Sequence, residues 1–249
     1  METLIKQTRE LGTSAGVLLP RSWLNKQVAV TLLQPSLERI SKDIINMIID
    51  KNLNEEIKGI YLFGSYARGD YEPGSDIDIL IITNTLNKLI KENNYEVILV
   101  SEDNFSKNLP NSLIYFSTLS ESKVIFNKNL IEKYKIKKIK FNKKSLLNEI
   151  KRILKINKDS IEFFNEYNKN IPDGVVYSIV LRLRELYLMK CLFLNKRYFK
   201  KDFLKIIGNK VNSAYLRIKR EEKEIDDIQP NELKNLLELS EKWLKELKD

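Results

Sequence analysis

Apolar residues in this chain change their spacing twice, and the changes mark three segments. Near the N-terminus, LIKQTREL, GTSA, GVLLP, RSWLNK and QVAVTLL read as strand, turn and strand, closed by Gln34-Pro35-Ser36. From Ser36, a helix N-cap, Leu37, Ile40, Ile44, Ile45, Ile48 and Ile49 form an apolar stripe at helical spacing. Then come short β-rich runs: KGIYLFG ending at Gly64, DIDILIIT, YEVILV, and KVIFNK at 123–128. Strands interleaved with helix predict a small mixed α/β sheet with helix on one face.

Beyond about Lys140 the period becomes that of long helices. KSLLNEIKRILKINKDSIEFFNEYN is the first, broken by Ile171-Pro172-Asp173, with Asp173 as cap of the second, VVYSIVLRLRELYLMKCLFLN. A third is predicted over 201–222 with Gly208 inside it, and Pro230 opens a fourth, NELKNLLELSEKWLKEL. Four helices with short connections predict an antiparallel bundle. The fold class is therefore α+β: a hairpin unit over 1–35, a mixed-sheet domain over 36–140 and a helical bundle over 141–249. RIKREEKE at 217–224 alternates in sign and reads as a solvated helical face.

Composition narrows the chemistry by subtraction. The 249 residues include no histidine and one cysteine, Cys191. That removes Ser-His-Asp and Cys-His sites, histidine-based zinc sites and imidazole-dependent ribonucleases. An internal disulfide is excluded, which fits a reducing compartment. No run approaches a membrane span, and METLIKQTRE lacks a signal-peptide core, so a cytoplasmic protein with no membrane partner is expected. The net charge of +9 suits polyanionic partners, although much of the excess lysine is scattered. Carboxylates, hydroxyls, lysine, arginine and a hard cation remain as the working groups.

These groups converge in IYLFGSYARGDYEPGSDIDILII. Gly64-Ser65 form a tight turn between a strand and a short helix. Gly64 lets backbone approach a phosphate, and Ser65 adds a hydroxyl donor. Arg68, one turn on, can reach an anionic tail or pin the turn. Asp76 and Asp78 alternate with Ile77 and Ile79, so both carboxylates share one face at a strand start. Such a pair repels itself unless a cation lies between, and Mg²⁺ commonly takes one or two carboxylates plus substrate phosphates.

GSYARGDYEPGSDID resembles the signature of the DNA polymerase beta-like nucleotidyltransferases, a Gly-Ser turn followed about ten residues later by Asp-x-Asp. Its ARG and SDID elements are most similar to the MNT and kanamycin nucleotidyltransferase branches, and the resemblance covers about 55–130. It implies a Mg²⁺- or Mn²⁺-dependent enzyme that takes an NTP, with ATP expected, and releases pyrophosphate. In that scheme Asp76, Asp78 and Glu96 are the metal and catalytic carboxylates, with Glu96 standing where many relatives have Asp. Gly64, Ser65, Arg68 and Ser75 bind the nucleotide. Glu96 reads alternatively as the solvent-facing residue of its strand.

The flanks carry weaker resemblances. IKQTRELGTSAGVLLPRSWLNKQVAVTLL (5–33) resembles the AbrB-type swapped hairpin, which implies a homodimer and DNA contact through Arg9, Arg21 and Lys26. The bundle is similar to the helical domains of kanamycin nucleotidyltransferase and HEPN proteins. The Arg-x4–6-His motif of HEPN ribonucleases is absent, leaving an acceptor-binding wall with Arg182, Arg184, Tyr177 and Tyr187 as candidates; both tyrosines also suit the edge of a core. The leading reading is NMP transfer to a protein or small-molecule acceptor, antitoxin-like if the N-terminal segment binds DNA. The alternative is a DNA-binding regulator that uses the transferase fold as a nucleotide sensor.

Overall fold

The computed structural model describes residues 4–6, 8–30, 35–72, 74–137 and 139–248. The chain divides into two compact units, residues 1–42 and 43–249. In the first, β1 (Arg9–Leu11) pairs antiparallel with β2 (Ser14–Gly16) across a turn in which Gly12 has φ +59°. Of the predicted strand LIKQTREL, Arg9–Leu11 form; among its described residues, 4–6 and 8 are not strand, and 7 lies outside the described residues. RSW is a 3₁₀ turn after Pro20, and Val28–Val30 are not strand. The rest of that last expected strand, at 31–33, lies outside the described residues. Helix α1 (Leu37–Asp50) begins as its sequence indicates, with the Ser36 hydroxyl accepting from the Arg39 N–H at 3.2 Å.

The second unit contains a five-stranded sheet ordered β5-β6-β4-β3-β7. Strand β3 (Ile57–Phe63) leads through α2 (Gly64–Arg68) to its antiparallel neighbour β4 (Ile77–Thr83). Strand β5 (Lys88–Glu92) is an edge, β6 (Tyr95–Ser101) lies parallel to β4, and β7 (Lys123–Phe126) closes the other side. Between β6 and β7 run α3 (Glu102–Asn108) and α4 (Leu113–Glu121), and α5 (Lys128–Ile136) follows.

Alternation sorts each strand onto two faces. Tyr61, Phe63, Leu80, Ile82 and Val100 pack with Phe105, Leu109, Leu119, Ile131 and Tyr134 from α3, α4 and α5. Ile77, Ile79, Ile81, Val97 and Leu99 point the other way and are also buried, as are Ile44 and Ile48 of α1. Burial on both faces explains why β4 reads as a near-continuous apolar run. Each buried isoleucine contributes about 1.5–3 kcal/mol. Asp78 belongs to the face of Leu80 and Ile82, at the strand end where that face runs out of core.

The helical part comprises α6 (Lys143–Glu166), α7 (Asp173–Phe193), α8 (Lys200–Ile207), α9 (Asn209–Lys219) and α10 (Pro230–Glu246) around its own core. The helix expected over 201–222 is two, because Gly208 adopts φ 77° and ψ 161°, a conformation no helix interior holds. Asp173 is not the cap of α7. Its fully buried carboxylate meets Arg217 of α9 at 2.6 and 2.7 Å, fixing the two helices to each other. Pro230 occupies the first turn of α10, where Gln229 and Glu232 form a capping box.

Candidate active site

The site forms where β3 ends and β4 begins. Phe63 pairs with Asp78 across the antiparallel ladder, and Asp78 stands in register with Glu96 on parallel β6. Neighbouring strands lie about 4.8 Å apart, so these two carboxylates are side by side on one face. Asp76 immediately precedes β4 and has a half-exposed side chain. Gly64 takes φ +69°, and a Cβ there would overlap the Asp78 carboxylate. Two requirements thus exclude other residues: the left-handed backbone and the close passage of the turn over Asp78.

Several contacts among the described residues tie down the segment between the turn and the aspartates. Ser65 accepts the Gly69 N–H at 2.8 Å through its carbonyl, and Tyr66 stacks on Tyr71 with centroids 4.2 Å apart. The Ser75 hydroxyl accepts the Glu72 N–H at 2.9 Å, closing the loop just ahead of Asp76. Of the two uses open to Arg68, the structure displays the pin: its guanidinium meets Glu121 of α4 at 3.0 and 2.9 Å and Asp70 at 3.2 Å. Burial pushes the Glu121 carboxyl up, and Arg68 and the Gly64 N–H partly offset that.

Electrostatically the corner is in conflict. The Asp78 carboxyl is pushed up to about 7, first by burial, then by Glu96, with Asp76 adding to the effect while Arg184 and Lys219 oppose it. Oxygen-only donors crowded this way suit a hard divalent cation, which would relieve the repulsion. Asp76, Asp78 and Glu96 therefore fit Mg²⁺ or Mn²⁺ by their chemistry. Among the described residues, no three carboxylates are drawn together into a ready-made ion cage. The charge at Asp76 is instead met by Lys219, whose ammonium lies 2.9 Å from Oδ2.

Sequence reasoning missed most of what the helical part brings here. Arg197 donates to the Arg68 carbonyl, the Lys200 N–H donates to Asp70 at 2.8 Å and its ammonium to Glu72 at 2.6 Å. The Arg68 guanidinium lies over the Tyr198 ring, 4.8 Å from its centroid. The run at 217–224 is not a uniform solvated face: Arg217 is buried against Asp173, Lys219 reaches Asp76, and α9 ends there. No local pattern announces these contacts, because Lys219 is 143 positions from Asp76. Of the four residues expected on the acceptor wall, Arg184 is the one whose charge opposes the rise at Asp78. Arg182 pairs with Glu185 at 2.8 Å, Tyr177 stacks on Tyr215, and Tyr187 packs on Phe203 and Trp243, as core-edge tyrosines do.

Comparison with known proteins adds a family and two short, strong similarities. A family model described as "Nucleotidyltransferase domain" matches residues 43–172. Two Methanocaldococcus jannaschii proteins, each named as a protein adenylyltransferase, are 53% identical over 45 residues and 44% identical over 46 residues. Each stretch is 18% of this chain, and the matches span 44% and 41% of those relatives, less than half their length. A nucleotidyltransferase-like protein from Exiguobacterium sibiricum, known from its crystal structure, aligns over 83% of this chain and 75% of its own at 15% identity, with a TM-score of 0.35, too low to bear on the fold.

Proposed function

The chain belongs to the nucleotidyltransferase domain family, and from that premise we propose that it transfers AMP from ATP to a hydroxyl group of a protein acceptor, releasing pyrophosphate. The observation that carries this reading is the corner itself: Asp76 and Asp78 at the head of β4, Glu96 in register beside Asp78, and the Gly64 turn laid against them. Two relatives named as protein adenylyltransferases support the choice of AMP and of a protein acceptor over a small molecule.

In this reading Asp76, Asp78 and Glu96 would hold Mg²⁺ or Mn²⁺, which would supply charge neutralisation to the phosphates and the leaving group. The Gly64-Ser65 turn receives the phosphate chain through backbone N–H groups and the Ser65 hydroxyl, and Ser75 and Arg68 fix the loop that presents the aspartates. The acceptor oxygen attacks the α-phosphorus as the bond from that phosphorus to the β-phosphate bridging oxygen breaks, and Glu96 takes the acceptor proton. Positioning and electrostatics carry the rate, so histidine is not needed. The unit at 1–42, with Leu11, Leu18, Leu24 and Val30 exposed, would add the dimerisation and DNA contact implied by its AbrB-like resemblance.

The test is transfer in cell extract from ATP labelled at either the α- or the γ-phosphorus. Label from the α position, but not the γ position, should become bound to protein in a Mg²⁺- or Mn²⁺-dependent manner. Transfer of the γ label would mean phosphoryl transfer and defeat the proposal. Metal-dependent ATP binding without any transfer would favour the nucleotide-sensing regulator.

A further inference from the structure

Helices α6 and α10 lie side by side and run antiparallel. A backbone bridge joins Ile171, just after α6, to Ile228, just before α10. An equal number of residues back along α6 and forward along α10, Lys158 faces Glu241 at 3.6 Å. Between the two helices runs a groove of about 520 Å³. It follows α6 over 151–162, about three turns or roughly 16 Å at the rise of an α-helix. Buried Leu154 and Leu244, with half-buried Leu237, form its floor. None of the residues that meet the Asp76–Asp78 corner lines it.

Charge along the groove is sorted by end. The same antiparallel pairing, carried further, sets Lys151 against Lys248 and Lys155 against Lys245. The other half holds Asp159, Glu162 and Glu241. Among the described residues, Lys158 is the one groove lysine with an ion pair, so the four at the basic end are not neutralised. A lysine that only solvates a helix stands on its outer face, as Lys242 does beside Glu246 one turn on. These four instead converge from both walls on one apolar floor. The pattern selects the occupant. A nucleic-acid backbone or an anionic membrane would lay negative charge on the three carboxylates as well as on the lysines. An amphipathic helix can set its apolar stripe on the leucines and place acidic residues at the lysine end alone. Its backbone dipole prefers the same polarity, with the negative C-terminal end among the lysines.

We propose that this groove docks the protein acceptor through an amphipathic helix of about three turns, acidic in its C-terminal half and lying parallel to α10. Naming the occupant as the acceptor rests on the reading of AMP transfer to a protein. The groove then supplies affinity for the acceptor, and the carboxylate corner supplies the chemistry. Loss of the groove raises the acceptor concentration needed for transfer and leaves ATP binding as it is.

Fluorescence anisotropy with two labelled synthetic helices tests the groove. Both carry leucine on one face; one has glutamate in its C-terminal half and lysine in its N-terminal half, and the other has the reverse. The first should bind the full chain about tenfold or more tighter, through several surface ion pairs acting together. Lys151→Glu/Lys248→Glu should invert that preference, while Lys242→Met, on α10 but outside the groove, should leave it within about twofold. All three lysines are exposed, so these variants keep the fold. In cell extract, the double variant should label protein from α-labelled ATP several-fold less than wild type, with ATP affinity within about twofold. Equal binding of the two peptides, no binding of either, tighter binding of a phosphatidylglycerol vesicle or a DNA duplex, or unchanged labelling by the double variant would overturn the docking site. No labelling by wild type, with polarity-selective peptide binding intact, would instead remove the transfer reading and with it the acceptor as occupant.

Discussion

The β4–β6 strand pair has carboxylates at both ends, in opposite circumstances. At one end Asp78 and Glu96 stand side by side, and Asp78 is pushed up to about 7. Past the other end of β6, Glu102 opens α3 and receives Lys58 at 2.7 Å, Tyr134 at 3.1 Å and Lys133 at 3.2 Å. The hydrogen bond from Lys58 is the main reason its carboxyl is held down at about 2. Both ends border the same core and differ in who the neighbours are. Glu102 is satisfied by its own fold, as a structural carboxylate should be, whereas Asp78 is buried beside Glu96 and Asp76, a crowding that Arg184 and Lys219 only partly offset. Unresolved charge at one end of an otherwise well-paired sheet is what separates function from architecture here.

The comparison can be broken from either end. The largest effect is expected for Asp78→Asn, which should lower transfer on the order of a thousandfold or more, because the donor to the cation and the charge are lost together. Gly64→Ala should follow, with activity down roughly a hundredfold: the left-handed backbone is strained by a side chain, and the Cβ displaces Asp78. Glu102→Gln should do the reverse, lowering unfolding stability by about 2 kcal/mol in denaturant titrations while initial rates stay within about twofold.

Two pH dependences sharpen the contrast, with smaller effects. The Glu102 carboxyl is depressed below its ordinary 4.5, so its stabilisation is present above that value and is lost as pH falls toward about 2. Wild type should therefore lose more stability than Glu102→Gln between those limits. Asp78 is raised, so its contribution is present below about pH 4 and is lost as pH climbs through about 7. In chelator, Asp78→Asn should match wild type in acid and be the more stable of the two above neutrality.

Much of this was legible in sequence where the signal is local. Strands β3, β4, β6 and β7 are apolar runs bounded by glycine or polar breaks, and the Gly-Ser turn and aspartate pair lie within one stretch of chain. Strand β5 was not, since only Ile90 of KLIKE is buried and an edge strand needs little more. Helices α3, α4 and α5 are short, and the apolar residues of α4 are spread around it, so periodicity says little. The break at Gly208 depends on one backbone angle. Tyr198 and Lys219 meet Arg68 and Asp76 only because the tertiary fold brings distant segments together, which spacing along the chain cannot express.

The most direct test measures transfer and thermal unfolding on one preparation each of wild type and Asp78→Asn, with Mg²⁺ and with chelator. The account predicts that the variant loses transfer while unfolding in chelator at the same temperature as wild type or higher, and that Mg²⁺ stabilises wild type alone. A variant that unfolds earlier in chelator at neutral pH, with transfer falling only in proportion to the folded fraction, would make Asp78 a structural residue and contradict it.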